Sequence, residues 1–212
     1  MNNFDLAYEE IEKNHPRLVY LSGKTSTGKT TLANSLKDKF DVAIIELDQI
    51  IHGIEFPGEI NKFIAIYRQR DEVALIELFI SRVKREINEA LKSHSSVLFE
   101  GAIANSETLY EIVQEWLDDF LFIYLTPASL ESYVERLTNR LMLATANHNS
   151  GLPPSFWKQF TDRQLETFYS SRDVTPELNA GITAYAEESM YESKDRLKMF
   201  TERFEGILVL EV

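Results

Sequence analysis

Residues 17–40 read RLVYLSGKTSTGKTTLANSLKDKF, and the fold follows from how this stretch is parsed. Leu18, Val19, Tyr20 and Leu21 form a short apolar run suited to a buried strand. Gly23-Lys24-Thr25-Ser26-Thr27-Gly28-Lys29-Thr30 fits G-x-x-x-x-G-K-[ST], the Walker A pattern of a phosphate-binding loop. Leu32, Ala33, Leu36 and Phe40 then recur at helical spacing. Strand, glycine loop and helix follow one another in the order that phosphate binding needs.

The chemistry explains the residue types. A polyphosphate is a dense anion, and a loop around it must turn backbone N–H groups inward through angles that glycine adopts cheaply. The helix that follows opens with unpaired N–H groups and a partial positive charge aimed at the same phosphates. Lys29 adds a full positive charge, and the Thr30 hydroxyl can bind Mg²⁺. Gly23, Ser26, Thr27, Gly28, Lys29, Thr30 and Thr31 are therefore the candidate nucleotide-binding residues.

Working outward, residues 4–13 read as a short amphipathic helix, with Phe4, Leu6, Ala7, Tyr8 and Ile11 apolar, and Pro16 closes it off. Asp41–Leu47 is a continuous apolar run, as expected for a strand buried on both faces of a parallel sheet. Asp48 follows at its carboxyl end. It is a candidate general base for an acceptor hydroxyl and a candidate metal-side group; as an alternative it N-caps a helix beginning at Gln49. Ser96–Phe99 reads as a third strand ending in Glu100-Gly101, an acidic strand tip of the kind that orders Mg²⁺ and its waters.

Between these strands the pattern predicts a loop at Gly53–Gly58 carrying Phe56, a short helix over Glu59–Tyr67 and a longer one over Arg70–Leu91. Arg68 and Arg70 sit at the junction as candidates for an anionic acceptor. Leu109–Leu117 reads as a helix and Phe120–Leu125 as a fourth strand. Thr126-Pro127 signals a helix start. Arg136 and Arg140 lie four apart on that helix and so point the same way, an arrangement suited to the charge on a transferring phosphoryl group. Thr145–Ser155 is the most loop-like stretch, and a lid is expected at about 141–160. Phe156–Ser171 resumes as a helix, with Arg163 and Arg172 as further phosphate candidates. Thr175-Pro176 starts another helix that runs to about Phe204, and Ile207–Val212 is a fifth strand.

With 22 Lys and Arg against 34 Asp and Glu, the formal net charge is −12, which argues against an extensive nucleic-acid or anionic-membrane surface. No run approaches the length of a membrane span. There is no Cys, so disulfides and thiol chemistry are ruled out. A cytoplasmic, single-domain protein over residues 1–212 is the expectation, and its oligomeric state is left open.

The stretches GKTSTGKTT at 23–31, LDQ at 47–49, LFEGA at 98–102 and ERLTNR at 135–140 resemble those of the P-loop nucleoside and nucleotide kinases, and Phe-Glu-Gly at the third strand looks most like the uridine kinase-like group. Ile50, Ile51 and His52 stand where that group usually has a Tyr. The resemblance implies an α/β, three-layer P-loop fold with a five-stranded parallel sheet ordered 2-3-1-4-5 and a helical lid. It implies ATP as donor, Mg²⁺, and a small-molecule acceptor such as a nucleoside or nucleotide. By motif position it gives Lys29 and Thr30 the donor phosphates and metal, Asp48 the base role, Glu100 a metal or acceptor role, and Arg136 and Arg140 the lid-side phosphate contacts. Two other readings stay open. One is a nucleotide-gated regulatory module, although Asn61-Lys62-Phe63-Ile64 breaks the N-K-x-D guanine motif. The other is a kinase-like toxin or modifying enzyme acting on a sugar nucleotide, antibiotic or protein.

Overall fold

The computed structural model describes residues 4–52, 65, 69, 71–103, 105–144 and 151–212, with the side chains of Ile51 and His52 left aside. The loop at Gly53–Gly58 with Phe56, most of the helix expected over Glu59–Tyr67, Arg68, Arg70 and residues 145–150 of the lid loop lie outside the described residues.

Helix α1 (Asp5–Asn14) ends at His15 in the left-handed conformation, and strand β1 (Leu18–Gly23) follows. The Walker loop leads into α2 (Lys29–Lys39), then β2 (Val42–Glu46), α3 (Leu47–His52) and α4 (Glu72–Ala90). Next come β3 (Ser96–Glu100), α5 (Ser106–Val113), a 3₁₀ turn at Gln114–Asp119 and β4 (Phe120–Thr126). The chain continues through α6 (Leu130–Met142), α7 (Pro154–Trp157), α8 (Asp162–Ser171), α9 (Pro176–Thr201) and β5 (Leu208–Glu211).

The strands form one parallel sheet in the order β2-β3-β1-β4-β5, as the resemblance implied. Period-two alternation explains why the strands read as continuous apolar runs. On β1, Leu18 and Tyr20 enter one core with Phe99, Phe122 and Phe200, whereas Val19 and Leu21 enter the other with Leu32, Leu36 and Ile123. Tyr20 stacks on Phe99 with ring centroids 4.7 Å apart, and its hydroxyl donates to the Gly101 carbonyl at 3.0 Å and accepts from the Ile103 N–H at 3.2 Å. That buried hydroxyl pins the segment just after Glu100. A third cluster, built from Tyr133, Leu137, Phe156, Phe168, Leu178 and Ile182, packs α6 to α9 together away from the sheet.

Several boundaries differ from the sequence reading. Thr126 ends β4 rather than capping a helix, because its carbonyl accepts from the Val212 N–H at 2.9 Å; Ser129 is the N-cap of α6, accepting from the Ser132 N–H. The helix expected over Phe156–Ser171 is broken, since Thr161 and Gln164 form a capping box that starts α8 afresh. Leu109–Leu117 is shortened at its end by the 3₁₀ turn. Asp48 lies in the first turn of α3, inside the helix rather than at its cap. Thr175 does cap α9, accepting from the Leu178 N–H at 3.2 Å.

Candidate active site

The carboxyl ends of β1, β2 and β3 converge on the Walker loop, at the place where the strand order reverses and open α/β sheets bind ligands. Gly23 ends β1 at φ +146°, and a Cβ there would lie 2.5 Å from the Leu125 carbonyl oxygen, so only glycine lets the loop leave between β1 and β4. Gly28 is the N-cap of α2, without a side-chain cap bond and without an acidic residue in the first turn, so the helix start presents free N–H groups and unopposed positive charge. Ser26 holds φ +65°, an uncommon angle for serine, and its Oγ is buried with no hydrogen-bond partner among the described residues.

Lys29 Nζ donates to the carbonyls of Gly23 at 2.9 Å and Lys24 at 3.0 Å, which hangs the ammonium across the loop. Burial pushes its pKa down; Glu100 opposes that shift, Arg140 adds to it, and Asp48 opposes it more weakly. Lys24 points elsewhere and pairs with Glu192 on α9. Thr27 is buried and bonds the Lys24 carbonyl through its hydroxyl at 2.7 Å, so it shapes the loop rather than lining the cavity.

Glu100 is buried at the end of β3. Its Oε1 accepts from the Thr30 hydroxyl at 3.1 Å, while Oε2 is buried without a partner among the described residues. Burial raises the Glu100 pKa; the Thr30 hydrogen bond and Lys29 counter it, and Glu46 and Asp48 reinforce it. A carboxylate oxygen left unpaired beside a Walker threonine is a hard oxygen donor set, and the residues fit Mg²⁺. Among the described residues no group of three or more acidic or histidine side chains could hold an ion by itself, so water and phosphate oxygens would complete the shell.

Two cavities meet here. One of about 260 Å³ is lined by Lys29, Thr30, Asp48, Glu100 and Gly101, with Glu46 alongside. The other, of about 540 Å³, is lined by Phe4, Arg136, Asn139, Leu143 and Val212. Ser26, Gly28, Thr31 and Arg140 line both, so the Walker loop is their shared wall. The sequence candidates are thus brought together, with Arg136 in the larger cavity and Asp48 and Glu100 in the smaller. Gly23 lines neither. Arg172 is engaged elsewhere, donating to the Ala144 carbonyl at 2.7 Å. Sequence reasoning missed Glu46, Phe4, Asn139, Leu143 and Val212. Glu46 carried a signal, two residues before Asp48 at the same strand end; the others come from elements whose packing partners no local pattern names.

The sequence model of the Zeta toxin family matches residues 5–117. The P-loop kinase superfamily expected from the sequence stands, and the matched family is not the uridine kinase-like group. A search of the curated proteins found no match. Among solved structures, a shikimate kinase from Bacteroides thetaiotaomicron is similar at 14% identity, with 92% of this chain and 85% of that chain covered and a TM-score of 0.45. A gluconokinase from Sinorhizobium meliloti 1021 is similar at 14% identity, with 89% and 98% covered and a TM-score of 0.39. A chain of the PezAT chromosomal toxin-antitoxin system of Streptococcus pneumoniae is similar at 15% identity, with 95% and 97% covered and a TM-score of 0.40.

Proposed function

Since this chain belongs to the Zeta toxin family of P-loop phosphotransferases, we propose that it transfers the γ-phosphoryl group of ATP to a hydroxyl of a sugar nucleotide. The observation that carries this reading is the paired cavity. A nucleotide switch needs one nucleotide site, whereas a transferase needs a donor and an acceptor on opposite sides of one phosphate cradle. Here the Walker loop is the wall between a large cavity and a smaller one floored by carboxylates.

In this reading the α2 N-terminus, Lys29 and Arg140 hold the donor phosphates, and Arg136 approaches them from α6. Asp48 accepts the proton of the acceptor hydroxyl. As that oxygen bonds to the γ-phosphorus, the bond to the β-phosphate oxygen breaks and ADP leaves with the electron pair. Thr30 and Glu100 would hold Mg²⁺, which supplies charge neutralisation on the phosphates when bound. Lys29 and the arginines stabilise the equatorial oxygens, so positioning and electrostatics carry the rate. Gly151, in the stretch expected as a lid, is tied to the site by the Arg140 Nη1 bond to its carbonyl at 3.2 Å. Among the described residues no helix is long and apolar enough to cross a membrane.

The test is ADP release from MgATP with a panel of nucleoside-diphosphate sugars, free sugars, nucleosides, nucleoside monophosphates and protein. Release that depends on a sugar nucleotide, and falls at least about 10²-fold in Lys29→Ala, is the expected outcome. Release with nucleosides or monophosphates alone would return the chain to the metabolite kinases. Tight ATP binding with no acceptor-dependent release would make it a switch.

A further inference from the structure

The larger cavity has a feature that phosphate binding does not use. It is walled by apolar side chains at the end of the site away from the carboxylates. Leu143 is 77% exposed, and Phe4 and Val212 are half-buried against the same space. Its volume, about 540 Å³, falls within the ordinary range for a small-ligand pocket.

We propose that Phe4, at the head of α1, is the platform on which the purine base of the donor nucleotide stacks. The inference rests on the phosphoryl-transfer reading and adds to it a residue outside every motif of that reading.

The placement is specific. A Cβ built on Gly28 would have the Phe4 Cζ at 3.8 Å and the Arg136 Nη1 also at 3.8 Å, so ring and guanidinium flank the start of α2 together. A planar base beside them meets an aromatic face and a cationic plane, both of which favour stacking. Asn139 lies three residues beyond Arg136 on the same helix and also lines the cavity. Its amide offers a donor and an acceptor to the edge of a base.

The platform is held firmly. Ala7 and Ile11 of α1 are buried in the core that also holds Leu32, Ala33 and Leu36 of α2, and the Tyr8 hydroxyl bonds to Ser35 Oγ. Helix α1 is thereby fixed to the helix that carries Lys29, and base and phosphates are received by one rigid pair. The opposite end of the site, with Glu46, Asp48 and Glu100, is left for the acceptor.

The test separates base from phosphate. ATP and inorganic tripolyphosphate are titrated into the full chain, Phe4→Ala, Phe4→Leu and Phe4→Tyr by calorimetry. Phe4→Ala is expected to weaken ATP about tenfold, the scale of one base–aromatic stack, while tripolyphosphate stays within about twofold. Phe4→Tyr keeps ATP affinity. Phe4→Leu preserves apolar packing without a ring, so a loss confined to ATP in that variant supports stacking even where Phe4→Ala folds poorly. ATP binding unchanged by both truncations would overturn the proposal. Equal losses for ATP and tripolyphosphate would overturn it too, because they would reduce Phe4 to a packing residue. If the unmodified chain bound neither ligand, the phosphotransferase reading would fall first and the platform with it.

Discussion

At Glu100, burial raises the carboxyl pKa, with Glu46 and Asp48 adding to the rise and the Thr30 hydroxyl and Lys29 opposing it. Glu100 as a residue is 6% exposed, and its pKa is raised. A raised folded pKa means that the fold favours the protonated form. Its stabilising contribution is complete below the ordinary glutamate range and is lost as pH rises through the elevated value. Above that window the fold carries a buried anion whose Oε2 has no partner among the described residues. Glu100→Gln is therefore expected to melt above the parent near about pH 8, with the gap closing toward about pH 4, in thermal scans across that range. The same variant should lose activity. Asp48 is different, an exposed residue in the smaller cavity. Asp48→Asn is expected to lower kcat by about 10²–10⁴-fold while ATP affinity, measured by titration, changes by no more than about twofold. Equal losses in both would assign Asp48 a positioning role. These residues were legible because each sits in a motif or at a strand tip, where a charged side chain has no packing reason to be. Phe4 was not, since an apolar residue on an amphipathic helix looks the same whether it faces a core or a ligand.

At the level of elements, local chemistry was readable where local bonds decide the outcome. Thr175-Pro176 and Thr126-Pro127 carry the same helix-start signal, yet only the first caps a helix. Thr126 is claimed by β5, pairing with Glu211 and accepting through its carbonyl from the N–H of Val212 just beyond that strand, and no nearby residue announces the strand's arrival. The break before α8 was written in Thr161 and Gln164 but was masked by the aromatic stripe running across it. The β3 exit is a constrained turn beside the smaller cavity. Gly101 holds φ +143°, and a Cβ would lie 2.8 Å from the Leu47 Cβ. Gly101→Ala is expected to cost about 1–3 kcal/mol in urea unfolding, from backbone strain and overpacking together. It should also reduce turnover, since the same residue sets the direction of Glu100.

Across the whole molecule, the sheet order brings Lys29, Asp48 and Glu100 to one rim. The alternation of apolar strands and amphipathic helices implied parallel crossovers, and the resemblance to P-loop kinases supplied the order of strands. The pairing of two cavities across the Walker loop was not legible, because it depends on how α1 and α6 pack beside it. The third hydrophobic cluster has a further consequence, for the order in which the chain can organise itself. Its buried members lie between residues 133 and 186, whereas the core under Tyr20 joins Leu18 to Phe204. Chain entropy charges less for short closures than for long ones, and nearby contacts are made sooner. The helix that bears Arg136 and Arg140, together with the helices it packs against, thus has its own inexpensive route to a packed state, which does not wait for the sheet to close across nearly the full length of the chain.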